Sequence, residues 1–205
     1  MSPLVRKALE SAGLLAIAHA RLASEPLPEG AVEKLAAADL LALGALADAV
    51  REKVSGDVVR FSSRPQARSL GTRAGLPASS TVRWIARDEP GHDASGLGVL
   101  RRVAIARVLA DDGVRIGVSY TDTGLELAQV ALGFGASELS GVLANKRGLP
   151  IADDATKRVK GQGQVSAQLL QQRELMQVLA YVGRRAVFID DETPKEVDIR
   201  GASHA

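Results

Sequence analysis

Residues 97–119 read LGVLRRVAIARVLADDGVRIGVS, and this stretch decides the fold class. A helix over 97–111 runs into the acidic pair Asp111-Asp112, and a strand over 114–119 follows. The alternation continues downstream, with a helix over 123–133, a strand-like piece near 137–143, a helix over 166–182 and a strand over 186–190. Strands that alternate with helices build βα units and a mainly parallel sheet. Upstream, Val82, Trp84 and Ala86 alternate with Thr81, Arg83 and Ile85, which predicts a strand over 81–86. Val58, Val59 and Phe61 predict a further short strand.

The first 56 residues read differently, as a helical segment. Ser2-Pro3 is a helix start, with serine as cap and proline at the first helical position. Leu4, Ala8, Ala12, Leu15 and Ala18 recur at helical spacing, which predicts one helix up to the Pro/Gly loop around Glu25–Gly30. A short helix is expected over 30–37. Asp39 caps a longer one over 40–54, with Leu40, Leu43, Leu46, Ala47 and Val50 on one face and Ser55-Gly56-Asp57 as its stop. Residues 62–80 read as loop. The polar stretch 145–165, with Gly161-Gln162-Gly163-Gln164, reads as a mobile loop, and the chain from Glu192 as a disordered tail. The expected organisation is an N-terminal helical segment over 1–56, an α/β domain over 57–191 and a tail over 192–205. The domain is expected to carry a small, mainly parallel sheet flanked by helices, like a partial TIM-type barrel.

Composition narrows the function classes. The 205 residues are 46% hydrophobic and 24% charged, enough to bury a sizeable core without a disulfide or metal. Aromatic residues are only 3%, too few for the stacking platforms of a single-strand nucleic-acid binder. The absence of cysteine excludes disulfides, thiol nucleophiles and thiolate-held metal or iron–sulfur centres. With 26 basic and 24 acidic residues the charge is nearly balanced, so nucleic acid is not an expected partner. No apolar run approaches the ~20 residues a bilayer span needs, and Arg6, Lys7 and Glu10 interrupt any leader-like run. A cytoplasmic location is expected.

No motif announces a reaction. His19, His92 and His204 have no metal-ligand spacing, and there is no HExxH, no G-x-S-x-G elbow and no phosphate-binding Walker loop. Gly161-x-Gly163 neither follows a predicted strand nor opens a phosphate-binding helix. Neither a metal nor a cofactor is expected. In parallel α/β sheets, ligand groups lie beyond the carboxyl ends of strands. By that rule Asp190 and the Tyr120-Thr121-Asp122 turn are site candidates, with Asp122 and Asp190 as possible acid/base groups. The alternative is that both acids cap turns and helices. Between Val58 and Arg87 there are six arginines and no acid: Arg60, Arg64, Arg68, Arg73, Arg83 and Arg87. Arg60, Arg83 and Arg87 are candidates for holding a carboxylate, a phosphate or an acidic partner; otherwise the run is a solvated face.

Two blocks together resemble a known family. One is the stretch from Leu27 to Arg51-Glu52, running on through Gly56-Asp57 to Phe61. The other comprises Leu100–Leu109, Ile116–Tyr120, Leu127–Gly141 and Leu175 through Gly183-Arg184 to Asp190. In this order they resemble the N- and C-terminal parts of the radical-SAM enzymes of the futalosine menaquinone pathway. That family includes aminofutalosine synthase and dehypoxanthine futalosine cyclase, with deazaflavin-cofactor synthases as cousins. The likeness covers about two-thirds of the chain. Tyr120 and Gln129 fall within it and join the ligand- or partner-binding candidates. The departures are large. In the family the first strand leads into a CxxxCxxC loop that holds the 4Fe–4S cluster and cleaves S-adenosylmethionine. Here Phe61 is followed by Ser62-Ser63-Arg64. Most central βα units of the family barrel are missing between about 62 and 80. Of the family's motif after the Gln-x-x-Leu helix, only the Gly135-Ala136 and Gly141 positions are clearly kept.

The resemblance implies a cluster-less, non-radical relative serving as a binding or partner subunit, for a full-length radical-SAM paralogue or for a small anionic or nucleoside-like ligand. Two alternatives stay open. One is a cofactor-free enzyme using acid/base residues at strand ends. The other is a pure protein-interaction module. A shortened barrel also implies a homo-oligomer or a complex with the paralogue, because it leaves sheet edges and apolar helix faces to be covered.

Overall fold

A computed structural model describes residues 2–62, 81–145, 150–152, 154–189 and 196–197. Ser2 caps α1 (Pro3–Ser11), its hydroxyl accepting the Val5 N–H at 3.3 Å. The expected single N-terminal helix is in fact two, α1 and α2 (Leu15–Ala23), broken by Gly13 at φ +69°. Only glycine enters that left-handed region without a steric penalty, and helical spacing of apolar residues does not register the break. α3 (Ala31–Ala37) and α4 (Leu40–Ser55) follow as expected. The Asp39 carboxylate accepts the N–H groups of Leu41 and Ala42, each at 3.0 Å.

The chain then alternates. β1 (Val58–Ser62) and β2 (Thr81–Ile85) precede α5 (Gly96–Leu109), β3 (Val114–Ser119), the single turn α6 (Tyr120–Thr123), α7 (Leu125–Leu132) and β4 (Glu138–Ser140). β5 (Thr156–Val159), β6 (Gly163–Ser166), α8 (Ala167–Tyr181), β7 (Arg185–Ile189) and β8 (Glu196–Val197) complete the order. The main sheet runs β2-β3-β4-β1-β7-β8; its first five strands are parallel and β8 is antiparallel to β7. The fold is therefore α/β, with a mainly parallel sheet flanked by helices. β1 lies at the centre, between β4 and β7 rather than beside β2.

Two further expectations need correction. The stretch read as a mobile loop contains an antiparallel hairpin, in which Thr156–Val159 pairs with Gly163–Ser166. Gly161 at φ +82° lies in its turn and Gly163 at φ +76° opens the returning strand opposite Val159, so the glycines read as flexibility build the hairpin. Within the tail read as disordered, Glu196 and Val197 pair with Ile189 and Phe188.

Both apolar cores lie on the helix side of the sheet. One packs Val59, Phe61, Ile116, Val118, Leu139 and Phe188 against Val99 and Val103 of α5, Ala128 and Leu132 of α7, and Leu175 and Leu179 of α8. The other joins α1–α4 to the outer surface of α5 through Leu9, Leu35, Leu43, Leu46, Val50, Ala104 and Val108. Arg107 crosses between them. It is fully buried, and its guanidinium donates to the carbonyls of Val114 at 2.6 Å and Asp111 at 3.0 Å, tying the end of α5 to the start of β3.

Candidate functional site

Side chains alternate along a strand, and residues in register on parallel strands share a face. The pairing places Trp84, Gly117, Glu138, Arg60 and Val187 in one lateral row across β2, β3, β4, β1 and β7. Two residues further along, at the carboxyl ends, Ser119, Ser140 and Ser62 form a second row on the same face, continued by Ile189. This face is opposite to Phe61, Val118 and Leu139, and neither apolar core includes any of it. It is the polar side of the sheet.

The rows are built closely. A Cβ at Gly117 would come within 2.6 Å of the Trp84 ring, so glycine there lets the indole lie over β3. Glu138 is fully buried, and its Oε2 sits 3.1 Å from Nε of Arg115, which shares its face one step earlier on β3. Arg60, in direct register with Glu138, is half-buried, as is Trp84. Adjacent strands lie about 4.8 Å apart, so the three serines set their hydroxyls across about 10 Å. Ser62 and Ser140 are completely buried and Ser119 nearly so. The Ser140 hydroxyl finds no hydrogen-bond partner among the described residues. Three hydroxyls beside a guanidinium can donate to phosphate or carboxylate oxygens, or exchange hydrogen bonds with a sugar's hydroxyls.

The C-terminal end of β3 is held by local bonds. Thr123 donates its hydroxyl to the Ser119 carbonyl at 2.9 Å, and the Thr121 hydroxyl accepts the Val142 N–H at 3.2 Å. Tyr120 points to the helix side, its ring stacked on Phe61 with centroids 5.5 Å apart. A Cβ at Gly141 would run into that ring. Burial pushes the Tyr120 phenol up from its ordinary value.

The residues singled out from sequence do not converge. Arg60 joins the polar rows. Arg83, in register with Ile116, belongs to the opposite face and lies three strands away, exposed on β2. Arg87 is exposed beyond the strand, its carbonyl accepting from Arg102 at 2.8 Å. Arg64, Arg68, Arg73 and Asp190 lie outside the described residues. Asp122 is exposed on α6, and Gln129 is half-buried on α7. Sequence reasoning missed Arg115, Glu138 and the serine row. The available signal was the charge of Arg115 and Glu138 inside short apolar strand windows.

The iron–sulfur cluster held by the family that the sequence resembles does not fit these residues. The carboxyl end of β1 carries Ser62, and no thiolate exists anywhere in the chain. Among the described residues no group of three or more histidines and carboxylates is placed to hold a metal ion. None of the described helices is long and apolar enough to cross a membrane. No protein-family model matches the chain, and no curated protein matches it well enough to count as a relative.

Proposed function

We propose that the chain is a non-radical binding subunit that holds a small anionic or nucleoside-like ligand on the polar face of its sheet. The observation that carries this reading is the serine row Ser119–Ser140–Ser62 at the strand carboxyl ends, directly beyond Arg60. Ligands of parallel α/β sheets sit at such ends. Hydroxyls paired with a guanidinium match a ribose or carboxylate better than an apolar substrate. The sequence resemblance to futalosine-pathway enzymes, whose substrates are nucleosides, supports the same class. Without thiolates the chain lacks that family's radical chemistry, so the proposal is binding alone, with a second copy or a full-length paralogue as the partner. The test is calorimetric titration of the purified chain with futalosine-type nucleosides, adenosine and inorganic phosphate. Saturable binding, weakened about tenfold or more by Ser140→Ala with Arg60→Gln, is expected. No binding of any of the three, or binding untouched by that double variant, overturns the reading.

A further inference from the structure

On the opposite side of β3, a hollow of about 310 Å³ lies between Tyr120, the segment 143–145 and α8. Its apolar walls are Leu125, Leu143 and Leu175, and its polar groups are Tyr120, Asn145, Gln171 and Glu174. Gln171 and Glu174 are three residues apart on α8 and so share a helix face. The Tyr120 hydroxyl is buried without a hydrogen-bond partner among the described residues. Glu174 is exposed at the mouth and makes no ion pair among them. Among the described residues no lysine, arginine or histidine lines the hollow. Lys157 lines only the neighbouring hollow of about 250 Å³, which shares Asn145, Gln171 and Glu174.

We propose that this hollow binds a small aromatic amine in its cationic form. A mostly apolar cavity with a few convergent polar groups is the usual form of a small-molecule site. An apolar ring fills the space among the three leucines, and its ammonium meets the Glu174 carboxylate at the solvent edge, where the charge needs no full desolvation. The buried phenol and the two carboxamides satisfy the remaining N–H groups. The negative mouth disfavours carboxylates. The site is on the other face of the sheet from the serine row, and it stands or falls independently of the function proposed above.

The test is an NMR titration of the full chain with benzylamine, benzyl alcohol and benzoate. Benzylamine is expected to give saturable shifts at Tyr120, Leu125, Leu143 and Leu175. Glu174→Gln, at an exposed position, should weaken it by about two- to fivefold, the loss expected for a solvent-exposed ion pair. Tyr120→Phe keeps the ring stack and should weaken it about threefold, as for a neutral hydrogen bond. Three results overturn the proposal: equal affinity for Glu174→Gln and the parent, binding of benzyl alcohol or benzoate as tight as that of benzylamine, or no saturable shift at these residues.

Discussion

Arg115 and Glu138 face each other from adjacent strands, Nε 3.1 Å from Oε2, with Glu138 wholly removed from solvent. A buried pair of this kind adds little over a well-packed apolar pair, but either charge left alone is severely destabilising. Glu138→Leu or Arg115→Met should each lower unfolding stability by about 3–5 kcal/mol. The double variant Arg115→Met with Glu138→Leu should lose much less than the sum. Urea denaturation of the four proteins checks this; additive losses would show that the two groups do not depend on each other.

Trp84 is the only tryptophan, and it lies over Gly117. Gly117→Ala forces a methyl into the ring and should cost about 1–3 kcal/mol through overpacking. It should also shift the emission maximum to longer wavelength as the indole is displaced toward solvent. Unchanged emission together with unchanged stability would mean the indole is not held there.

Asp112 joins the loop before β3 to α2 and α4. Arg21 donates to its carboxylate at 2.8 Å, Ser24 at 3.1 Å and Lys53 at 3.4 Å. The Arg21 hydrogen bond, helped by Ser24, holds its pKa below the ordinary carboxylate value of 3.8. A group whose pKa is lower in the folded state contributes stability above its unfolded pKa and loses it as pH falls through the folded one. Asp112→Asn should therefore be less stable than the parent near neutral pH, and the difference should begin to shrink below about pH 4 and keep shrinking as pH falls through the lowered folded-state pKa. Denaturation midpoints at pH 7, 5 and 3 check this. A gap as large at pH 3 as at pH 7 would assign the effect to packing instead. The carboxylate is largely exposed, so the change is modest and fades with added salt.

With no cysteine, anaerobic treatment with iron and sulfide should leave no stoichiometric 4Fe–4S signal in electron paramagnetic resonance, and S-adenosylmethionine should not be cleaved. A clean cluster spectrum with methionine release would contradict this.

Much of the fold is legible in the chain because its signals are local. Asp39 at the start of α4, Ser2 before Pro3 and the strand window Val114–Ser119 each act within a few residues, and the structure keeps all three. Gly13 was overlooked because one left-handed glycine ends a helix without disturbing the apolar spacing on either side. The hairpin over Thr156–Ser166 was overlooked because its strands are polar and mostly exposed, so no hydrophobic alternation marks them.

Composition and local pattern by themselves determined the α/β class, the helical N-terminus and the absence of thiolate chemistry. They placed Arg60 among the binding candidates, but they grouped it with Arg83, which the sheet puts on its other face. Only the tertiary structure decided that β1 enters between β4 and β7, and the polar rows follow from that insertion. Ser62, Ser119 and Ser140 are separated by tens of residues and are unremarkable one at a time. Register makes them neighbours. Register is set by hydrogen bonds and packing between strands distant in the chain, and a slip of one residue would send each serine to the opposite face.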